Sequence, residues 1–583
     1  MGMNVGFDLG STYTILSVYN RNSDQLDAIE LTKYGGKSIP SIVAKNGRGK
    51  YFFGQNAKSK LGNPGIRPFS AFKMLLPERG SEILCRRGYD PLPRDREQRY
   101  QADTPQEITK EFIEALLTAA LQETDGEQRE IDNLVIGAPE IWFSGWKTLD
   151  GRPIVRDICD KISCVRKEGV RVVSEPTAAC AFFAHLYRRV TKRNYEGHIL
   201  LVDYGGGTLD ITLTRVNTRP DGSMEVEDEH RTGAGENQPG GQIGSAGIAY
   251  MEAVTEYAIQ ASGCRKGTAV PRDGDFLNAV NQLERKLLDE ADSLGDTFRD
   301  EDDIRYDPEQ KKIVYPDPTM PDEEVFATLN YAADGMVYQI HVTYDMLLQV
   351  YNRIICPVLS GELGKMVQFM RDTGIDYEGT GRDNFKIALV GGFGSFCLVE
   401  QQIKGIFDLF DQQAHIIQGG VNRERAVSYG AALIAEGAVF VKELAPYSIG
   451  LKGYHYAITK GEELDFDVPK FPMRNGKIVN YSLGGSGLQQ FVFNSHKSRE
   501  SAIYKKLSKE MIEKLRPVAS SLDSVLQIGF SVDRDYVYSL HVYRFDPVLK
   551  KRVGKPETIR LDYISEMFED VSEAKWVLSL IHI

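Results

Sequence analysis

Over its first ~440 residues the chain alternates short apolar runs with segments whose apolar residues recur at helical spacing, the pattern of an α/β protein. The runs Val5–Leu9, Leu134–Ile136, Ile199–Val202 and Ile387–Val390 predict buried strands. Thr104, Pro105 and Glu107 predict a helix start, with threonine as N-cap, proline at the first helical position and glutamate completing a capping box. Ile108, Phe112, Ala115, Leu116 and Ala119 then share one helical face. Leu398 to Phe410 reads as a helix, and Ala431 to Val441, interrupted by Glu436, as a buried one. Between Asp300 and Glu324 the chain is acidic and contains prolines, which predicts a solvated surface insertion.

After about Pro446 the period changes. Leu526, Ile528, Phe530 and Val532 alternate with Gln527, Gly529, Ser531 and Asp533, which predicts a strand with one buried face. Asp533-Arg534-Asp535 predicts a turn, and Tyr536–Tyr543 the returning strand. Ile503, Leu507 and Leu515 have helical spacing and predict a helix inserted over Ser501–Leu515. No long charged helical tail is legible after these strands.

Length and composition bound the rest. A chain of 583 residues exceeds one ordinary core and predicts two or more domains. Hydrophobic content of 42% and charged content of 26% are those of a soluble globular protein. A net charge of −12 argues against a nucleic-acid partner, which calls for a basic face. No basic segment followed by an apolar one opens the sequence, and no apolar run approaches the ~20 residues that span a bilayer. The seven cysteines are scattered, with no C-x-x-C pair. These features predict a cytoplasmic protein with neither nucleic acid nor membrane as partner.

Three strand–glycine segments carry the chemistry. In Gly6-Phe7-Asp8-Leu9-Gly10-Ser11-Thr12-Tyr13 an apolar strand delivers Asp8 to its end. Gly10 lets backbone approach a phosphate, and Ser11, Thr12 and Tyr13 supply N–H and hydroxyl donors. Leu200 to Asp210 repeats the device through Asp203, Gly205-Gly206-Gly207 and Thr208, and Leu389-Val390-Gly391-Gly392-Phe393-Gly394-Ser395 again runs from strand into glycine turn.

In this order the segments resemble the phosphate-1, phosphate-2 and adenosine motifs of the actin-like ATPase fold, which actins, sugar kinases and heat-shock-protein-70 chaperones share. Ser174-Glu175-Pro176-Thr177-Ala178-Ala179 resembles the first connecting segment of those chaperones, and Arg425 to Ala432 the second. Val135-Ile136-Gly137-Ala138-Pro139 is similar to a family strand end, and Phe72-Lys73-Met74-Leu75 to the segment with its phosphate-contacting lysine. Glu443 to Leu451 resembles the segment joining ATPase and peptide-binding domains, and Leu526–Tyr543 the closing hairpin of the peptide-binding sandwich.

The resemblance implies a two-lobed actin-like ATPase domain (duplicated ribonuclease H-like mixed sheets with helices) over residues 1–440. A linker would follow at 441–450, then a β-rich domain without a long helical lid at 451–583. It implies binding and slow hydrolysis of Mg-ATP, with ADP as product, coupled to binding of unfolded or extended polypeptide. Co-chaperones or nucleotide-exchange factors would be further partners. Asp8 and Asp203 would hold magnesium through water. Lys73, Glu175, Asp203 and Thr208 would form the hydrolytic group, with Glu175 and Asp203 orienting water. Gly10, Ser11, Thr12, Tyr13, Gly205, Gly206, Gly207, Gly240 and Gly241 would surround the phosphates; Arg285, Lys286, Gly391, Gly392 and Phe393 would surround the adenosine. Departures from the family pattern are Phe393-Gly394-Ser395 where an arginine is common, the loose match of Gln282 to Lys286 to the adenosine helix, and Glu424 for the usual aspartate. The same fold also serves sugar- or polyphosphate-type phosphotransferases, actin-like filament proteins and enzyme-reactivating ATPases, so these remain alternatives.

Overall fold

The computed structural model describes residues 2–61, 63–77, 100, 103–123, 130–143, 150–206, 208–235, 247–265, 268–271, 274–289, 305–314, 324–377, 384–407, 416–417, 424–445, 448–451, 456–482, 490–494, 503–506 and 524–562. Two sheets with the same internal order dominate its first part. In the first, the order is Gln25–Ala28, Tyr13–Asn20, Met3–Leu9, Ile131–Ala138, Val170–Ser174. In the second, Met224–Gly235, Thr208–Thr218, Gly197–Tyr204, Phe385–Val390 and Ile416–Ile417 repeat that order, and Val439–Val441 joins the outer edge. In both, the central strand turns back antiparallel through its glycine hairpin and pairs in parallel with a later strand on its other side. All four predicted strands lie inside these elements.

Each sheet has its own apolar core, and a further core lies between the sheets. Two helices fill that middle core, Glu175–Thr191 and Ala426–Ala435. They cross so closely that a Cβ on Gly430 would stand 1.6 Å from the Ala178 carbonyl oxygen, so only glycine fits there. The first of these helices is started by the Ser174 hydroxyl, which accepts from the Thr177 N–H at 3.2 Å.

The predicted helix at Thr104 runs over Pro105–Glu123, with the Thr104 hydroxyl accepting from the Glu107 N–H at 3.2 Å. The Glu107 carboxylate also accepts from the Tyr51 hydroxyl at 2.8 Å, tying the helix to a neighbouring strand. The helix expected to Val441 ends at Ala435; Gly437, at φ +68°, turns the chain into the edge strand Val439–Val441. Sheet pairing overrode apolar continuity there. Part of the expected acidic insertion is packed: Arg305–Asp307 and Lys312–Val314 pair, with Tyr306 and Ile313 buried. Apart from residues 305–314 and Glu324, the segment Asp300–Glu324 lies outside the described residues.

The C-terminal part is two four-stranded antiparallel sheets around one apolar core. Tyr456–Ile458, Ser448–Leu451, Gln490–Asn494 and Ile503–Lys506 form one; Asn480–Ser482, Val525–Val532, Tyr538–Asp546 and Lys551–Asp562 form the other. Ile503–Lys506 is therefore strand where a helix was expected, because its backbone pairs with Gln490–Asn494; residues 507–515 of that expectation lie outside the described residues. Val525–Val532 is buried on both faces rather than one. Phe471 and the Lys470 backbone cover Gly529 and Phe530, so Gln527 and Ser531 are buried too.

Candidate functional site

Each central strand ends in an aspartate, Asp8 or Asp203, followed by its glycine hairpin. The hairpins face one another: a Cβ on Gly206 would stand 3.9 Å from Thr12 Oγ1. Both have carbonyl oxygens bonded from behind. At the first, the Ser41 hydroxyl donates to Gly10 O at 2.6 Å and the Ser41 N–H to Thr12 O at 2.8 Å. At the second, the Gly247 and Ile248 N–H groups, at the start of the helix Gly247–Ala261, donate to Gly205 O and Gly206 O at 3.2 and 2.9 Å. A hairpin whose carbonyls are held this way presents N–H dipoles on its open side, which suits an anion. One predicted donor is spent internally, since the Gly205 N–H closes the turn onto Thr208 O at 2.9 Å. Gly207, Gly240 and Gly241 lie outside the described residues.

Charged side chains gather at the same place. Lys73, on the short turn Phe72–Leu75, is buried and ion-paired with Glu175, the first residue of its helix. Asp210, on the returning strand, lies directly opposite Asp203 in the ladder. Burial, then Glu175, push the Asp8 carboxyl up to about 7, with Lys73 opposing. Burial, then Glu175, Asp210 and Asp8, hold Asp203 well above the usual carboxylate range. Burial, Glu175 and Glu140 raise Asp210 to about 8, against the hydrogen bond from Thr208. Four carboxylates and one lysine thus share the cleft floor, an excess of negative charge that a cation would relieve.

That donor set fits magnesium. The oxygens are hard carboxylates, although among the described residues no three acidic, histidine or cysteine side chains are arranged to ligate one ion directly. A cation taken up by one or two carboxylates with retained waters matches magnesium's preference. Sequence reasoning gave Asp210 no role although it closes the second hairpin motif; its facing register with Asp203 was the available signal.

The third glycine turn abuts this cluster. Gly391, at φ +78°, would clash with Asp203 Oδ1 at 2.5 Å if it carried a Cβ. Phe393 is turned into an aromatic cluster, 5.2 Å from Tyr204 at 90° and 5.3 Å from both Tyr250 and Phe396. Its ring is half-buried and packs against the core of the second sheet. Arg285 is exposed on the helix Gly274–Asp289, and Lys286 lines a cavity against Val325–Leu329. Beside it, Gln282 bonds both the N–H and C=O of Asn330, at 2.9 and 3.1 Å.

The β domain contacts this region through the turn Asp533–Tyr536. Tyr536 donates to Glu443 Oε2 at 2.7 Å, and its ring lies under Arg152 at 4.7 Å. Arg156 donates to Arg534 O at 2.9 Å and pairs with Asp535. Behind Tyr536, Arg231 bridges Glu140 and Asp228, each at 2.8 Å. Asp228 in turn accepts from Thr177, two residues after Glu175. Arg152 and Arg231 both lie over the Phe143 ring, at 4.4 and 5.7 Å, so a chain of contacts runs from the β-domain turn to the first turn of the helix that Glu175 begins.

Residues 4–271 match the sequence profile of the family described as Hsp70 protein. The chain is similar to the chaperone protein dnaK1 of Prochlorococcus marinus, 21% identical over 608 aligned residues that cover 99% of this chain and 77% of that protein. With the duplicated sheets, the facing hairpins and the β-sheet domain behind them, these matches make the chain similar to Hsp70-family proteins, by profile over residues 4–271 and by distant likeness along its length.

Proposed function

We propose that the chain binds Mg-ATP between the two glycine hairpins, hydrolyses it slowly, and couples nucleotide state to the binding of extended polypeptide by its β domain. The observation that carries the reading is the pair of facing hairpins with carbonyls bonded from behind, above a floor of Asp8, Lys73, Glu175, Asp203 and Asp210. Backbone N–H groups of the hairpins would hold the phosphates, and Lys73, released from Glu175, would offset their charge. Freed of Lys73, Glu175 would be positioned with Asp203 to orient the attacking water and accept its proton. Asp8 and Asp203 would hold magnesium, which supplies charge neutralisation at the phosphate oxygens when bound.

Coupling is supported by the contacts from Tyr536 through Arg152, the Phe143 ring, Arg231 and Asp228 to the helix that begins at Glu175. On this reading residues 1–440 form the ATPase unit, and the segment through Glu443 carries the docking contact. The test is fluorescent-peptide binding to the full chain with ATP, with ADP and without nucleotide. A typical coupling of ~1–3 kcal/mol gives a shift of roughly five- to 150-fold, and ATP affinity must change by the same factor on adding peptide. Tyr536→Ala should shrink the shift. Equal peptide affinity in all three states would remove the chaperone reading and leave the ATP site standing.

A further inference from the structure

We propose that the hairpin tip between Tyr538–Asp546 and Lys551–Asp562 docks the protein onto an anionic lipid surface. Val548 is 86% exposed, the most of any large hydrophobic side chain among the described residues, and its neighbour Leu549 is 59% exposed. The tip is preformed. Asp546 Oδ1 accepts the N–H groups of Val548 and Leu549 at 2.8 and 2.9 Å, and Lys550 closes the turn at φ +51°. Little backbone ordering would accompany insertion.

Charge surrounds this apolar apex. Between Arg544 and Lys555 there are five cations and one carboxylate, in a chain whose net charge is −12. The carboxylate is Asp546, whose Oδ1 is occupied by the turn. Arg544, Lys550, Lys551 and Lys555 are exposed. Arg552 is held in place, 3.9 Å over Phe471 and 4.5 Å over Tyr543, and fixes the base of the ribbon. Two aliphatic side chains on a convex tip ringed by lysines suit a soft anionic interface, where the aliphatics enter the acyl boundary and the cations stay at the headgroups.

The tip lies at the opposite end of the strand Tyr538–Asp546 from the turn that contacts Arg152 and Arg156. Nine residues of strand separate the two by roughly 30 Å. A surface bound at the tip would therefore leave the ATPase contact in place. The absence of long apolar runs, from which no membrane partner was expected, tests for spanning segments and does not address a peripheral contact of this kind. With so few anchoring groups, attachment would be reversible and weakened by salt.

The test is co-sedimentation of the full chain with vesicles of phosphatidylcholine alone and with one-third phosphatidylserine. Retention is expected on the anionic vesicles and much less on the neutral ones. It should fall roughly tenfold or more in Val548→Ser/Leu549→Ser, and likewise in Lys550→Ser/Lys551→Ser. Both variants should keep wild-type ATP turnover, which reports that they fold. Failure of the wild type to bind anionic vesicles, or wild-type retention of both variants, would overturn the proposal. So would tip-dependent binding to soluble polyglutamate without vesicle binding, which would assign the tip to an acidic polypeptide instead.

Discussion

Asp210→Asn separates stability from turnover in a way that follows from the carboxylate cluster. The folded protein raises the Asp210 carboxyl from 3.8 to about 8, so the native state holds its proton more tightly than the unfolded chain does. Stability from this group is then complete below the unfolded value and is lost as pH rises towards 8. At ~1.4 kcal/mol per pKa unit, ionising Asp210 in a rigid cleft would cost the fold at most about 6 kcal/mol. Water entering the cleft and movement of Lys73 reduce this to about 2 kcal/mol. Asparagine carries no charge and escapes the penalty. The nucleotide-free variant should therefore melt with the wild type at pH 4 and higher at pH 8.5, by about 2 °C for a unit of ~440 residues at ~1 °C per kcal/mol. Its ATP turnover in magnesium should fall at least ~10-fold, because a charge beside Asp203 is gone. Thermal melts at both pH values and a steady-state phosphate-release assay check this. A variant less stable than wild type at pH 8.5, or a melting difference that does not grow with pH, would refute the electrostatic account.

Asp203→Asn should leave ATP binding largely intact while turnover drops ~10²-fold or more, read from calorimetry beside single-turnover kinetics. Gly206→Val places a side chain 3.2 Å from Ile248 and beside Thr12, so ATP affinity should weaken with folded content unchanged; wild-type affinity would count against the second hairpin as a phosphate cradle. Mg-ATP binding should release protons and weaken as pH falls from 8 to 6, since Asp8 near 7 and Asp210 near 8 must ionise beside the cation; calorimetry in buffers of differing ionisation enthalpy measures the number released.

Much of this was legible in the residues because it is local. Asp8-Leu9-Gly10 and Asp203-Tyr204-Gly205 each encode a strand, a turn and a charge within a few positions, and the four central strands fall where apolar runs place them. The Asp533–Asp535 turn likewise follows from short polar side chains bonding their own backbone, as the Asp533 carboxylate does to the Asp535 and Val537 N–H groups at 2.9 Å. What the sequence could not determine depends on partners distant in the chain. Ile503–Lys506 has helical apolar spacing but becomes strand because Gln490–Asn494 offers an open edge. Phe393 stands in an adenosine-type motif, yet its half-buried ring packs on three neighbouring aromatics at the edge of a core. Asp210 acquires its raised proton affinity only when folding buries it and brings Glu175 and Glu140 near, and the contacts from Tyr536 to Thr177 join residues more than 300 positions apart. Spacing along the chain fixes periods and turns; proximity of charges across two lobes and a third domain exists only in three dimensions, because Coulomb and packing energies depend on distance in space.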